Sequence, residues 1–452
     1  MPSTDPNRPN ILFFFTDQQR WDTCGCYSAD AARLGVTPNL DRLAAEGVRF
    51  ENAFTCQPVC GPARSVLQTG KWATETGCFK NNIALPLDEQ TIAHHFRGAG
   101  YEVGYIGKWH LASDEEHNYR TVAVPPERRG GYEDYWLASD VLEFTSHGYD
   151  GYLHDGEGNQ VEFTGYRVDC VTDFALEYLR GRSGTRPFFL FLSYIEPHHQ
   201  NDHNRYEGPE GSKQRFAEYA PPGDLAGSDT PGDWRENYPD YLGCIHSLDR
   251  NLGRIRDALA ELGLADSTLI VFTSDHGSHF RTRNAEYKRA CHDACVRIPM
   301  VAAGPGFEGG RVVEPLASLV DIPPTLLAAG GVEPPATMRG RPLQTLLADP
   351  DADWRDEVFI QISESQVGRA IRTKRWTYSV SVPSTESWAG GRAPAADEYT
   401  EEYLYDNDAD PHQQNNLIRD PAHAAVRGEL RQVLLRRIGE AEGARPTIHP
   451  AE

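Results

Sequence analysis

The sequence predicts an α/β fold: a large, mainly parallel sheet sandwiched by helices, with a smaller C-terminal antiparallel sheet and helix. Three observations predict it. Four short apolar runs show no alternation, as strands buried on both faces do. Helical patterns lie between those runs, the rhythm of a parallel sheet. After about residue 345 the rhythm gives way to short strand-like pieces. The expected division is a catalytic domain over residues 1–350 and a small α+β subdomain over residues 351–452.

The first run, Ile11 to Thr16, ends at Asp17. Thr37-Pro38 then opens a helix through Leu40, Leu43 and Ala44, with Gly47 as its stop. Tyr101 to Ile106 ends at Gly107-Lys108-Trp109-His110, and Phe188 to Ser193 ends near Glu196-Pro197-His198-His199. Leu242, Ile245, Leu248, Leu252, Ile255, Leu259 and Leu262 recur at helical spacing and predict a long amphipathic helix. Leu269 to Thr273 ends at Ser274-Asp275-His276-Gly277. In open α/β sheets ligands bind beyond the carboxyl ends of the strands. All four polar endings fall there and are read as one site.

Asp349 to Asp356 is acidic, contains a Pro and marks the expected boundary. Beyond it come Val358 to Ile362, Arg369 to Thr373 and Trp376 to Val382 as strands. A Gly/Pro-rich excursion (Ser384 to Asp397) precedes Tyr403-Leu404-Tyr405-Asp406, and a helix around Ala424 to Ile438 follows.

Apolar residues make up 39% and charged residues 24% of the 452, the balance of a soluble globular protein. A net charge of -22 argues against nucleic acid and anionic membrane surfaces as partners, while leaving room for a local cationic pocket. The stretch from Met1 to Asn10 has no basic leader, and the apolar run behind it is too short for a signal-peptide core. As given, the chain is expected in the cytoplasm, or exported if a leader was removed. Nine cysteines, an odd count, favour reduced thiols. Cys24-x-Cys26, Cys56-x3-Cys60 and Cys291-x3-Cys295 lack the usual zinc spacing with matching partners.

Cys60-Gly61-Pro62-Ala63-Arg64, followed by Thr69-Gly70, is the most informative stretch. Its bland reading is a Gly-Pro turn beside a small buried thiol. With the Pro, Arg and Thr-Gly at these offsets it resembles the modification signature of the sulfatase family, where the Cys is oxidised to formylglycine. Further pieces extend the resemblance from about residue 9 to residue 420. They are Pro9-Asn10-Ile11 leading to Asp17-Gln18, Gly107-Lys108-Trp109-His110-Leu111, Pro187-Phe188-Phe189-Leu190 leading to Pro197-His198, and Ser274-Asp275-His276-Gly277. Lys288 before Arg297-Ile298-Pro299, and Leu404-Tyr405-Asp406 before Asp410-Pro411 and Asn416-Leu417, complete the series. Their order resembles a type I sulfatase of the alkaline-phosphatase-like superfamily.

The resemblance implies the following roles. Asp17, Gln18, Asp275 and His276, with the modified Cys60 side chain, hold one divalent cation. Oxygen donors suit Ca²⁺ first and Mg²⁺ second. Gln18 where many relatives have Asp, and His276 where some have Asn, keep Mn²⁺ open. Arg64 and Lys108 surround the nucleophile and metal. His110 is the base for sulfate release, and Lys288 and His198 contact the sulfate and leaving oxygen, with His198 favoured as the proton donor. A formylglycine hydrate supplies one hydroxyl to attack sulfur and a second to expel sulfate, which a plain Ser lacks. A formylglycine-generating enzyme is an implied partner.

Outside that shell, Trp109, His199, Asn201, Asp202, His203, His279, Arg283 and His292 are candidate substrate contacts, and a solvated loop is the alternative for each. His292-Asp293 departs from the aromatic-acidic-glycine pattern often found before this Arg-x-Pro. The polar loop after His198 favours a sulfated saccharide over an aryl sulfate as substrate, and cytoplasmic residence would favour small imported organic sulfates. The rival readings are a phosphonate monoester or phosphodiester hydrolase with the same site, and a non-catalytic sulfated-glycan-binding protein.

Overall fold

A computed structural model describes residues 8–382 and 393–451. Most of the N-terminal stretch and of the predicted Ser384–Asp397 excursion lies outside the described residues.

In chain order the strands are β1 (Asn10–Thr16), β2 (Val48–Phe50), β3 (Ala53–Phe54), β4 (Glu102–Lys108), β5 (Tyr135–Ser139), β6 (Asp150–His154), β7 (Gln160–Thr164), β8 (Phe188–Ser193), β9 (Thr268–Ser274), β10 (Met300–Ala303), β11 (Arg311–Val313), β12 (Ala317–Ser318), β13 (Glu357–Ile362), β14 (Gly368–Thr373), β15 (Trp376–Ser381), β16 (Glu398–Asp406) and β17 (Thr447–His449). Ten form one sheet in the order β11-β2-β10-β9-β1-β8-β4-β5-β6-β7. The four runs read as strands are its adjacent central members, β9-β1-β8-β4, and all pair in parallel. The sheet turns antiparallel at β10, a short apolar run, and at β6–β7, which have no clear apolar run in the sequence.

The missing alternation has its physical cause here. Along β1, Ile11, Phe13 and Phe15 enter one core and Leu12 and Phe14 the other. Burying one such side chain stabilises by roughly 1.5–3 kcal/mol. On one face lie helices Cys60–Thr69, Ile92–Gly98 and Ile322–Ala329; on the other lie Pro38–Glu46, Arg167–Gly181 and Trp234–Glu261. Pro38 opens its helix and Gly47 caps it, as predicted. The long helix starts at Trp234, upstream of the predicted repeat, because Trp234, Tyr238 and Tyr241 bury in a separate aromatic cluster with Tyr206 and Phe280.

β13 to β16 form an antiparallel sheet packed against helix Ala424–Glu442. β17, absent from the sequence reading, joins it in parallel beside β16. This small sheet braces the entry to the Cys60 helix: Gln361 N donates to Cys56 O at 2.9 Å, and Gln57 Nε2 donates to Ser363 Oγ at 2.9 Å.

Candidate active site

The register brings four strand ends level. Thr16 pairs with Ser274, and both Phe15 and Gly107 pair with Ser193. The next residues therefore collect side by side: Asp17-Gln18 after β1, Asp275-His276 after β9, His198 beyond β8, and Lys108 at the end of β4. Gly107 permits this convergence. Its φ is +106°, and a Cβ would lie 1.9 Å from the Ser193 carbonyl oxygen, so only glycine fits. Gln18 and His110 hold left-handed backbones, φ +68° and +62°. Such strain clusters at functional sites and persists where surroundings over-determine it. Here Gln18 N donates to Asp275 Oδ1 at 2.9 Å, and His110 N donates to Asp140 O at 2.6 Å.

Cys60 is the first residue of a wholly buried helix aimed at these strand ends. Its Sγ lies 3.2 Å from Asp17 Oδ1, 3.3 Å from His276 Nε2 and 2.8 Å from Lys288 Nζ. One turn on, Arg64 lies over the Phe15 ring and donates to Asp17 Oδ2 (3.0 Å), Lys108 O (2.7 Å) and Ser193 Oγ (2.7 Å). Lys108 Nζ donates to the same Asp17 oxygen at 2.7 Å. Lys288 Nζ also meets His198 Nε2 at 3.1 Å. His198 Nδ1 faces the His199 carbonyl at 2.6 Å and so carries the ring proton, leaving Nε2 as an acceptor.

Burial favours neutral Asp17, but Lys108, His198, Arg64 and Lys288 outweigh it and hold the carboxyl well below the usual range. Burial, reinforced by Asp17, pushes Asp275 up to about 7 and the Cys60 thiol up to about 12. Burial, then Lys108 and Arg64, keep His110 well below its ordinary value.

The donor set fits a cation. Asp17, Cys60, Asp275 and His276 each place a ligand atom within 4.8 Å of the others, all buried. Asp275 Oδ2 is buried without a hydrogen-bond partner, a costly arrangement unless something positive faces it. His276 Nδ1 donates to Gly277 O at 2.9 Å, which leaves the Nε2 lone pair free for a cation. Gln18 Nε2 is held by Tyr206 OH at 2.8 Å and Ser278 Oγ at 3.3 Å, leaving its Oε1 as the free acceptor.

Gln18, Cys60, Lys108, His110, His198 and Lys288 line one cleft of 270 Å³. The other predicted contacts divide. Asn201 lines this cleft, donating to Glu143 Oε1 at 2.8 Å. Trp109 does not; it is core, packed among Tyr105, Tyr132 and Trp136. His279 is buried behind the cleft against the Lys288 carbonyl. His199 is buried against Tyr287, its Nδ1 facing Asn201 Oδ1 at 3.1 Å. Arg283 and His292 line a separate cavity of 350 Å³ with Arg20, Trp21 and His412. Asp202 and His203 are exposed and engage His147 and Glu207 in place of the cleft. Adjacency in sequence to His198 was their only signal, and the loop turns them away. Missed altogether were Asn82, Arg120, Glu143, Phe144, Tyr287 and Arg289, which also line the cleft. Among them only Phe144, an apolar side chain left 54% exposed, is unusual, and exposure is invisible in sequence.

Taken together, the strand-end carboxylates, the helix-borne Cys60 and the surrounding cations define a hydrolase site suited to an anionic ester. The family model for sulfatases matches residues 9–332, and that for the C-terminal part of N-sulphoglucosamine sulphohydrolase matches residues 285–440. The chain is 30% identical to an ulvan-active sulfatase of Formosa agariphila, across 96% of this chain and 82% of that one. It is 26% identical to an N-acetylglucosamine-6-O-sulfatase of Bacteroides thetaiotaomicron, across 95% and 86%. Among solved structures, one in complex with its substrate D-glucosamine-2-N,6-O-disulfate superposes with a TM-score of 0.76 at 23% identity, covering 97% of this chain and 99% of that one. A phosphonate monoester hydrolase from Silicibacter pomeroyi superposes with a TM-score of 0.69 at 24% identity, covering 96% of each. The chain belongs to the type I sulfatase family of the alkaline-phosphatase-like superfamily and is a sulfuric ester hydrolase.

Proposed function

We propose that the protein hydrolyses a sulfate monoester on a saccharide, using formylglycine formed from Cys60 and one Ca²⁺ held by Asp17, Gln18, Asp275, His276 and the modified residue. The observation that carries this reading is Cys60 at a helix start, within 3.3 Å of Asp17, His276 and Lys288 at once. Burial and Asp17 push the Cys60 thiol up to about 12, so the unmodified side chain is a poor nucleophile at neutral pH. The bound cation would offset the charge on the sulfate oxygens and on the attacking oxygen.

The chain's own residues do the rest. Arg64 and Lys108 neutralise Asp17 and keep it ionised for the cation. Lys288 Nζ and His198 Nε2, 3.1 Å apart, act as one proton-donating unit for the leaving oxygen. This refines the choice of His198 alone, because its Nδ1 proton is committed to the His199 carbonyl. His110, neutral and with Nδ1 unpartnered, serves as the base for sulfate release.

Support for a saccharide lies in the cleft. Asn82, Asn201, Glu143 and Arg120 offer polar groups beside Phe144 and Tyr287, a pairing suited to sugar hydroxyls and ring faces. At 270 Å³ it falls below the ~300–1,000 Å³ of a typical small-molecule pocket, which suits one ring with its sulfate. The relative named for N-acetylglucosamine-6-O-sulfate chemistry supports an amino sugar among the first substrates tested.

The test is sulfate release, read by ion chromatography, from protein co-produced with a formylglycine-generating enzyme. Sulfated mono- and disaccharides, an aryl sulfate and a phosphonate monoester are compared, with and without a chelator. Release from a saccharide, lost on chelation and restored by Ca²⁺, is expected. Hydrolysis of the phosphonate alone would overturn the reading.

A further inference from the structure

We propose a second cation site, built by His147, Asp202 and His203 for a transition metal with Zn²⁺ preferred, that clips the loop after β8 to the segment between β5 and β6. These residues lie on two segments distant in sequence, and among the described residues they form one of two clusters able to hold a metal. His147 Nε2 lies 2.8 Å and His203 Nε2 4.0 Å from the same Asp202 oxygen, Oδ2. The two imidazole rings face each other at 4.3 Å and 10°.

Two of the three ligand atoms are set up by a second contact, while His147 Nε2 shares a hydrogen bond with Asp202 Oδ2 at 2.8 Å that a bound cation would replace. Gln200 Nε2 donates to Asp202 Oδ1 at 2.7 Å, so Oδ2 is the outward oxygen. His203 Nδ1 faces Glu207 Oε1 at 2.6 Å and must donate to it, which puts the lone pair on Nε2. Glu207 is itself fixed by Gly148 N at 2.8 Å, on the segment that carries His147. A carboxylate behind a ligating imidazole is the usual support in histidine metal sites. Two imidazole nitrogens and one carboxylate oxygen match the ligand set of Zn²⁺, with a position left to solvent. His203 Nε2 is the atom still 4.0 Å from Asp202 Oδ2, and its exposed ring can tilt about the Nδ1–Glu207 contact to close that distance. Ca²⁺, which takes about 6–8 oxygen ligands, finds too few here.

The clip has a place in the site's architecture. The loop it would fasten begins at His198, and near the cleft it is tied to Glu143 by Asn201 and by Gln200. A cation binding 202 and 203 to 147 would hold that loop from its far side.

The test uses the full chain, stripped with chelator and loaded with Zn²⁺ in the presence of excess Ca²⁺. After gel filtration in metal-free buffer, retained zinc is counted by mass spectrometry. One zinc per chain is expected in the unsubstituted protein and in Asp275→Asn, which disables the buried cluster. None is expected when His147→Ala or His203→Ala is placed in the Asp275→Asn background, and circular dichroism should be unchanged because both side chains reach solvent. Co²⁺ should give the intense visible bands of a four- or five-coordinate site in the first pair and not in the second. Zinc retained by the two double variants as by Asp275→Asn alone, or by none of the four proteins, would overturn the proposal.

Discussion

Among the described residues two clusters gather histidine and carboxylate, and they are built in opposite ways. Asp17, Cys60, Asp275 and His276 are fully buried, stand on parallel strand ends and a helix, and are ringed by Arg64, Lys108 and Lys288. His147, Asp202 and His203 stand on loops, partly exposed, with Glu207 and Gln200 behind them. Burial makes an uncompensated charge very costly, so the first cluster carries its counter-charges within hydrogen-bond reach. Water supplies that compensation at the second, which needs only oriented ligands. The first is therefore built to work on an anion, and the second is suited, as proposed, to hold a cation.

The comparison breaks most directly at Cys60, the proposed nucleophile. Cys60→Ala should lower sulfate release by about 10⁶-fold, the scale seen when a nucleophile is removed, while the denaturation midpoint stays near that of the parent. Near-normal turnover would deny the buried cluster its role. Cys60→Ser should retain one sulfate per chain, detectable by intact mass, and fail to turn over again.

Lys288→Ala tests the counter-charge. Loss of one preorganised cation should cost about 10²–10³-fold in kcat, read under saturating substrate. An equal loss on replacing an exposed cation such as Arg33 would show that the effect is not local. Gly107→Ala tests the scaffold instead: the 1.9 Å approach to Ser193 O should destabilise the fold by about 3 kcal/mol or more, read from the denaturant midpoint.

Arg120 marks the boundary between chemistry and recognition. Its guanidinium sits 5.6 Å from the Phe144 ring and donates to Asn82 at 2.6 Å. Arg120→Ala should raise KM about tenfold with kcat little changed, the pattern of lost uniform binding. A fall in kcat alone would move Arg120 into the reacting centre. The smallest effect is expected at the exposed cluster, where His147→Ala should leave kcat within about twofold of the parent while removing the second metal.

Much of this was legible before any coordinates. The four apolar runs are the central strands because burial on both faces leaves an unbroken apolar signature. The polar residues closing each run converge because parallel strands share a direction. What the sequence hid is equally specific. β2 and β11 are three residues long and β10 four, too short for periodicity. Trp109 reads as a candidate substrate contact because it sits between Lys108 and His110. The left-handed turn at His110 points that histidine toward the cleft, while Trp109 packs into the core.

The sequence by itself determined the sheet's central strands, the polar residue at each strand end, and the Cys60 motif at the start of its helix. These are local: each depends on residues a few positions apart and on the two-residue or 3.6-residue repeat of its element. Only the tertiary structure decided which loop side chains enter the cleft, which turn toward His147, and that Arg283 and His292 belong to another cavity. Those outcomes depend on segments far apart in the chain meeting at loop ends, where no repeat constrains side-chain direction and a single turn reverses it.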